Sequence, residues 1–299
     1  MAMPDSPSTS GWLSAAANKL RAFAYGGENA VLAKRPRVGI ALAGGFARGI
    51  AHIGVLRALR AAKIPIDFVS GTSVGALIGA AYCGGTTLEE MERIGMATTF
   101  ADFGRWTPSW IGLATNQRLE KYLARFTPAT TFEELQIPLA IATSDLNAGI
   151  TVYYSHGPIA PPLRASCSYP GLFVPIQFDG RMLVDGFLTA PVPVEGCFLQ
   201  GADVVIAVHL EPGNLEPPRT FTDVLSRSFN IIQRHADVAW RQQADVVIEP
   251  DVEKFVWDDF SKTPEMVAAG EATALAAIPQ IRAAIANFVD KSTEKPVAK

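Results

Sequence analysis

The stretch FVSGTSVGALIGAAY, residues 68–82, joins an apolar, β-branched run to a helix of small residues through the turn GTSVG. Strand, tight turn and helix in that order suit a nucleophile elbow. There a serine stands on a strained turn, and flanking glycines let strand and helix close around it without Cβ clashes. Ser73 is that serine, and Gly71 and Gly75 flank it. The helix beginning at Val74 would bring free N–H groups and the positive end of its dipole to the same spot. A serine serving only the turn would fit the same glycines, but its place between an apolar strand and an apolar helix favours a nucleophile.

The same unit occurs once before. RVGIALAGG (37–45) reads as a strand ending in glycines, and ARGIAHIGVLRALRAA follows at helical spacing. Two successive strand–helix units predict a right-handed parallel βαβ arrangement. The first turn, GGFARG (44–49), is neither a dinucleotide fingerprint nor a Walker loop: position 46 is phenylalanine, and no Lys-Ser or Lys-Thr pair follows Gly49. An oxyanion loop and a plain structural turn remain, and the serine elbow downstream favours the former. Arg48, at the mouth of this turn, would either hold a phosphate head group or brace the loop.

A serine nucleophile needs a base. The four histidines, His52, His156, His209 and His235, all lie in unpersuasive contexts, His209 least so because it ends the apolar run VVIAVHL. Asp185 is the stronger candidate. It closes the second strand of a hairpin, IQFDGRMLVDG, whose two-residue turn is Asp179-Gly180, and Gly186 after it lets backbone or substrate approach the carboxylate. A carboxylate is a weak base for a hydroxyl, so the site would have to be partly dry.

Elsewhere, Thr86 or Thr87 opens a third helix through a capping box with Glu89 or Glu90. From 100 to 131 the pattern weakens around DFGRWTPSWIGLATN (102–116), a Trp- and Pro-bearing stretch that suggests a lid or binding loop. IPLAIATSDLNAGITVYYS alternates like two strands about a turn, two short apolar strands (ADVVIAVHL, ADVVIEP) flank a helical stretch at 220–243, and a last helix covers 263–290. The pattern is α/β with a largely parallel, buried sheet. It predicts a tail and amphipathic helix within 1–35 (apolar face at 12–24), one domain over 36–290, and a disordered tail at 291–299. The bland reading of residues 12–24 is packing on their own domain, the other a membrane contact.

With 48% hydrophobic residues and a net charge of −3, the chain offers no basic field for nucleic acid. It shows no secretory signal and no apolar run of the about 18–20 residues that span a bilayer, and its three scattered cysteines fit a reducing compartment. A cytoplasmic protein, at most peripheral to the inner face of the membrane, is the expectation. The stretch from Asp145 starts like a calcium loop but has Ile150 and His156 where glycine and glutamate belong, and no His pair at i, i+4 offers a zinc site.

GGFARG after the first strand, GTSVG after the second and DG after the late hairpin together resemble the patatin-like phospholipases, particularly their bacterial branch. The blocks HIGVL, ATSDLNAG, RASCSYPGLFVP and DFSKTPEMVAAGE extend the likeness from about Val38 to Val289. The resemblance implies a three-layer α/β/α fold and a Ser-Asp dyad that hydrolyses acyl esters of phospholipid or lysophospholipid through an acyl-enzyme, without a cofactor or metal. Carried over, Ser73 is the nucleophile and Asp185 the base. Backbone N–H groups of Gly44, Gly45, Phe46 and Val74 form the oxyanion hole, and Gly49, Gly71, Gly75 and Gly186 are motif glycines. Two positions depart from the family: Phe46 stands where a third glycine is usual, and Phe187 where the dyad motif has glycine or alanine. They motivate an alternative, a patatin-fold lipid-binding or regulatory protein with little or no turnover.

Overall fold

The computed structural model describes residues 35–107, 109–211, 217–236 and 238–288. The helix expected at 12–24, nearly all of 1–35 and the tail at 291–299 lie outside the described residues.

The two glycine turns do join parallel strands to helices. β1 (Val38–Leu42) leads through a 3₁₀ turn at Phe46–Ile50 into α1 (Ala51–Ala61), and β2 (Phe68–Thr72) leads directly into α2 (Val74–Cys83). α3 (Leu88–Met96) starts where Thr87, rather than Thr86, accepts the Glu90 N–H. The 100–116 stretch forms a small hairpin, β3 (Arg105–Trp106) with β4 (Ala114–Thr115), ahead of α4 (Arg118–Leu123).

β5 (Leu139–Asp145) turns back into β6 (Ile150–Tyr154); α5 (Ala160–Ser166) then precedes the hairpin β7 (Ile176–Phe178) and β8 (Arg181–Asp185). Asp179 and Gly180 both have positive φ, 51° and 70°, as a type I′ turn requires. α6 (Val194–Gln200), β9 (Val204–Val208), α7 (Phe221–Ala236), α8 (Val238–Gln243), β10 (Val246–Ile248) and α9 (Thr263–Ala286) complete the described fold.

β10, β9, β1, β2 and β5 pair in parallel in that order; β6, β8 and β7 extend the sheet with antiparallel pairs. Strand alternation sorts the core into two layers. Val38, Ile40 and Leu42 of β1 join residues of α1, α2, α3 and α9 on one face. Ala41 and Ala43, with Val205 and Ala207 of β9, meet Cys197 of α6 and Trp240 of α8 on the other. Helices thus cover both faces of a largely parallel sheet, the three-layer α/β/α arrangement. No helix among the described residues is long and apolar enough to cross a membrane.

One feature of the sheet positions the site. β5 pairs with β6 along one edge, through residues 141–145, and divides the other: residues 139–142 pair with β2, and residues 143–145 with β8. β2 runs parallel and β8 antiparallel to β5, so the two strands meet end to end. Thr72 lies opposite Ala142, and Asp185 opposite the next residue, Thr143.

Candidate active site

Ser73 follows Thr72 at this meeting point, with φ 54° and ψ −123°. Such a backbone costs about 1–3 kcal/mol for a residue with a Cβ and is held by its surroundings. Both flanking glycines are needed for close approach. A Cβ on Gly71 would stand 2.5 Å from Cα of Ala76, and one on Gly75 would run into the Leu42 carbonyl of β1. The Ser73 N–H donates to Oγ of Ser166 (2.8 Å), whose hydroxyl donates to the Ala142 carbonyl (2.7 Å). A buried hydroxyl thus bridges the β2–β5 ladder at the residue where β2 leaves it.

Asp185 is only 2% exposed. Its N–H donates to the Ser168 carbonyl (3.0 Å), and its Oδ1 accepts the Phe187 N–H (3.0 Å). Burial pushes its carboxyl up to about 7, against the opposing pull of the Phe187 N–H and of a hydrogen bond with the Ser73 side chain. The carboxyl therefore changes charge near neutral pH, in the range where general bases work. Cys167, between Ser166 and Ser168, is the other side-chain partner of Ser73; burial and the nearby Asp185 charge hold its thiol well above the usual range, so it stays protonated.

Ser73, Asp185 and Cys167 are among the residues lining a cleft of about 720 Å³, open mouth included. The remaining wall is mostly aliphatic and aromatic, from Leu77 and Ile78 of α2, Leu119 of α4, and Phe126 and Phe173. A mostly apolar wall with a few polar groups suits a ligand with a long hydrocarbon part.

The first glycine turn stands against the elbow, where a Cβ on Gly44 would lie 3.4 Å from Cβ of Ser73. The peptide joining Ala43 to Gly44 is pinned at both ends. Nε2 of His52 bonds the Ala43 carbonyl (2.9 Å), and the Gly44 N–H reaches the Pro191 carbonyl (3.3 Å). The Gly44 amide, one of those expected in the oxyanion hole, is thus engaged by Pro191. The N–H groups of Gly45, Phe46 and Val74 have no acceptor among the described residues. Gly49 gives room to Val74, which a Cβ there would strike.

Arg48 is 8% exposed, and its Nε donates to the Phe255 carbonyl (2.9 Å). This bond braces the loop, one of the two roles read from the sequence for Arg48. His209 is in a separate network, with Nδ1 3.0 Å from Glu249, which pairs with Arg241 (2.6 Å). β1 lies between its strand and β2. His52 is fully buried, its pKa lowered by burial to about 4, and His156 bonds only the neighbouring Ser155 side chain among described partners. Asp145 is occupied by the Asn147 and Ala148 amides and by Arg181.

The sequence profile of the patatin-like phospholipase family matches residues 40–198, just over half of the chain. The chain belongs to that family. Its relatives include an uncharacterized NTE family protein of Mycobacterium tuberculosis, 36% identical over 62% of this chain and 52% of the other. Another is the lysophospholipase nte1 of Emericella nidulans, 32% identical over 66% of this chain and 13% of the other. The chain thus spans about half the length, or less, of these curated relatives. Among solved structures, VipD of Legionella pneumophila shares the fold, with a TM-score of 0.50 and 14% identity over 84% of this chain and 67% of that one.

Both departures from the usual patatin-like pattern have a structural place. Phe46 carries φ 51°, and its ring packs edge-on against Trp257 (4.8 Å between centroids) and Phe103 (5.8 Å). Phe187 stacks on Tyr169 (4.9 Å) and meets Phe229 edge-on (5.6 Å), while its N–H serves Asp185. Sequence reasoning missed Ser166 and Ser168, which help fix the elbow and the carboxylate, Ser166 through its hydroxyl and Ser168 through its backbone carbonyl. The block RASCSYPG held the signal for Ser166: a small hydroxyl residue among apolar neighbours needs a buried partner.

Proposed function

We propose that this chain is a carboxylic ester hydrolase of phospholipid or lysophospholipid, working through Ser73 and Asp185. The observation that carries the proposal is the division of one β5 edge between β2 and β8, which sets the elbow serine beside a buried carboxyl in the lining of an apolar cleft. Ionised Asp185 takes the proton as Oγ of Ser73 attacks the ester carbonyl. The oxygen, now negative, is met by the N–H groups of Gly45, Phe46 and Val74. Collapse expels the alcohol portion, which leaves with the proton that Asp185 returns, and the acyl group remains on Ser73. Water, deprotonated by Asp185, then releases the fatty acid and restores the serine. The acyl chain would occupy the aliphatic and aromatic part of the cleft.

The relatives named as lysophospholipases support the substrate class. Three unpaired cysteines, two of them buried, fit a reducing compartment, and we place the protein in the cytoplasm, meeting its lipid peripherally. A fluorophosphonate probe should label Ser73, as read by peptide mapping, and Ser73→Ala should abolish both labelling and ester hydrolysis. A protein that resists the probe, hydrolyses no ester and yet binds lipid would be a binding or regulatory member of the family instead.

A further inference from the structure

We infer that the β3–β4 hairpin is a docking surface for a bilayer that carries anionic lipid. The inference rests on the reading of the cleft as a lipid site and names how that site meets its substrate. Four large apolar side chains of the hairpin face solvent: Trp106 (65% exposed), Trp110 (105%), Ile111 (61%) and Leu113 (46%). So dense an exposed apolar group marks an interaction surface rather than an ordinary soluble exterior.

Its charge names the partner. The chain as a whole is net negative, but the hairpin from Arg105 to Thr115 contains Arg105 and no carboxylate, and Asp102 just before it pairs with Arg125 (2.9 Å). Arg105 is exposed in β3. Tryptophans with an exposed arginine on a hairpin that carries no acid suit the headgroup region of an anionic bilayer, where the indole body is buried shallowly and the cation meets lipid phosphates.

The hairpin is also fastened to the wall of the cleft. Leu113 and Ala114 donate to the Leu172 carbonyl (2.9 and 2.8 Å), and Val174 donates to Ala114 (2.9 Å). Rings continue inward from the exposed tip, Trp106 to Phe100 (5.5 Å) and Phe100 to Phe173 (5.9 Å), and Phe173 lines the cleft. Docking there brings the lipid against the part of the cleft wall that Phe173 lines.

The test uses the full chain and vesicles of phosphatidylcholine and phosphatidylglycerol in equal parts, with phosphatidylcholine alone as the comparison. Flotation gives the partitioning, and hydrolysis of a monomeric short-chain ester without vesicles reports the site independently. The double variant Trp110→Ala, Ile111→Ala should bind the mixed vesicles at least about tenfold more weakly and keep its monomeric-ester rate within about twofold. Arg105→Gln should lose about fivefold on mixed vesicles and little on phosphatidylcholine.

Vesicle binding by the double variant equal to that of the unmodified chain overturns the inference. So does a change confined to self-association in sedimentation, which would make the face a contact between copies. If no form hydrolyses the monomeric ester but the binding difference persists, the surface stands and the catalytic reading falls.

Discussion

Replacing Asp185 by asparagine should inactivate the protein and stabilise it, and the stabilisation should grow with pH. The carboxyl is 2% exposed and pushed up to about 7, whereas in the unfolded chain it titrates near its ordinary value of 3.8. Between those two values the folded state binds more protons than the unfolded state, so the contribution of this group to stability falls as pH rises and levels off above the folded value. At about 1.4 kcal/mol per pH unit, the charged aspartate costs the native state about 4 kcal/mol at and above pH 8. Asparagine of the same shape can still accept the Phe187 N–H and carries no charge to bury.

Urea unfolding at about pH 5 and about pH 8 should therefore show the advantage of Asp185→Asn growing by about 3 kcal/mol, because groups common to both proteins cancel. The unmodified chain should meanwhile gain kcat/KM on a short-chain ester about tenfold per pH unit below 7 and level off above it, as a base ionising there requires. An advantage independent of pH, or a variant that hydrolyses at the original rate, would refute the assignment of a buried, high-pKa base.

Ser166→Ala removes the hydroxyl between the Ser73 N–H and the Ala142 carbonyl; it should cost about 2 kcal/mol in unfolding and lower kcat more than it raises KM, since two buried groups lose a partner and the elbow loosens. His209→Ala should hydrolyse esters within about threefold of the unmodified rate, because its network lies across β1 from the elbow; a collapse of activity would replace the dyad with a triad. Gly75→Ala drives a methyl into the Leu42 carbonyl and should lower stability by about 3 kcal/mol or more in thermal unfolding, with loss of probe labelling at Ser73.

Local patterns carried much of this in the sequence. The alternation that separates Val38, Ile40 and Leu42 from Ala41 and Ala43, the glycines around Ser73 and the Asp-Gly turn before Asp185 each express a preference satisfied within a few residues. What could not be read is long-range register. Nothing near Ala142 or Thr143 announces that β5 divides an edge between a parallel and an antiparallel partner. The direction of the Gly44 amide was hidden likewise, since it depends on His52 one helix later and on Pro191 far down the chain. The stretch read as helical over 220–243 is helical at Phe221–Ala236 and Val238–Gln243, and the last helix stops at Ala286, short of 290.

The meeting of β2 and β8 along β5 makes that strand a ruler. Its peptide spacing, and not the 111 residues of chain between positions 73 and 185, measures the distance from hydroxyl to carboxylate. Loops and helices in that interval can lengthen, shorten or change partner while the two groups stay one rung apart. A single residue inserted within β5 would slide one strand about 3.3 Å past the other and turn its side chains to the opposite face. Variation in such a protein should therefore be generous around the ruler and almost nil along it.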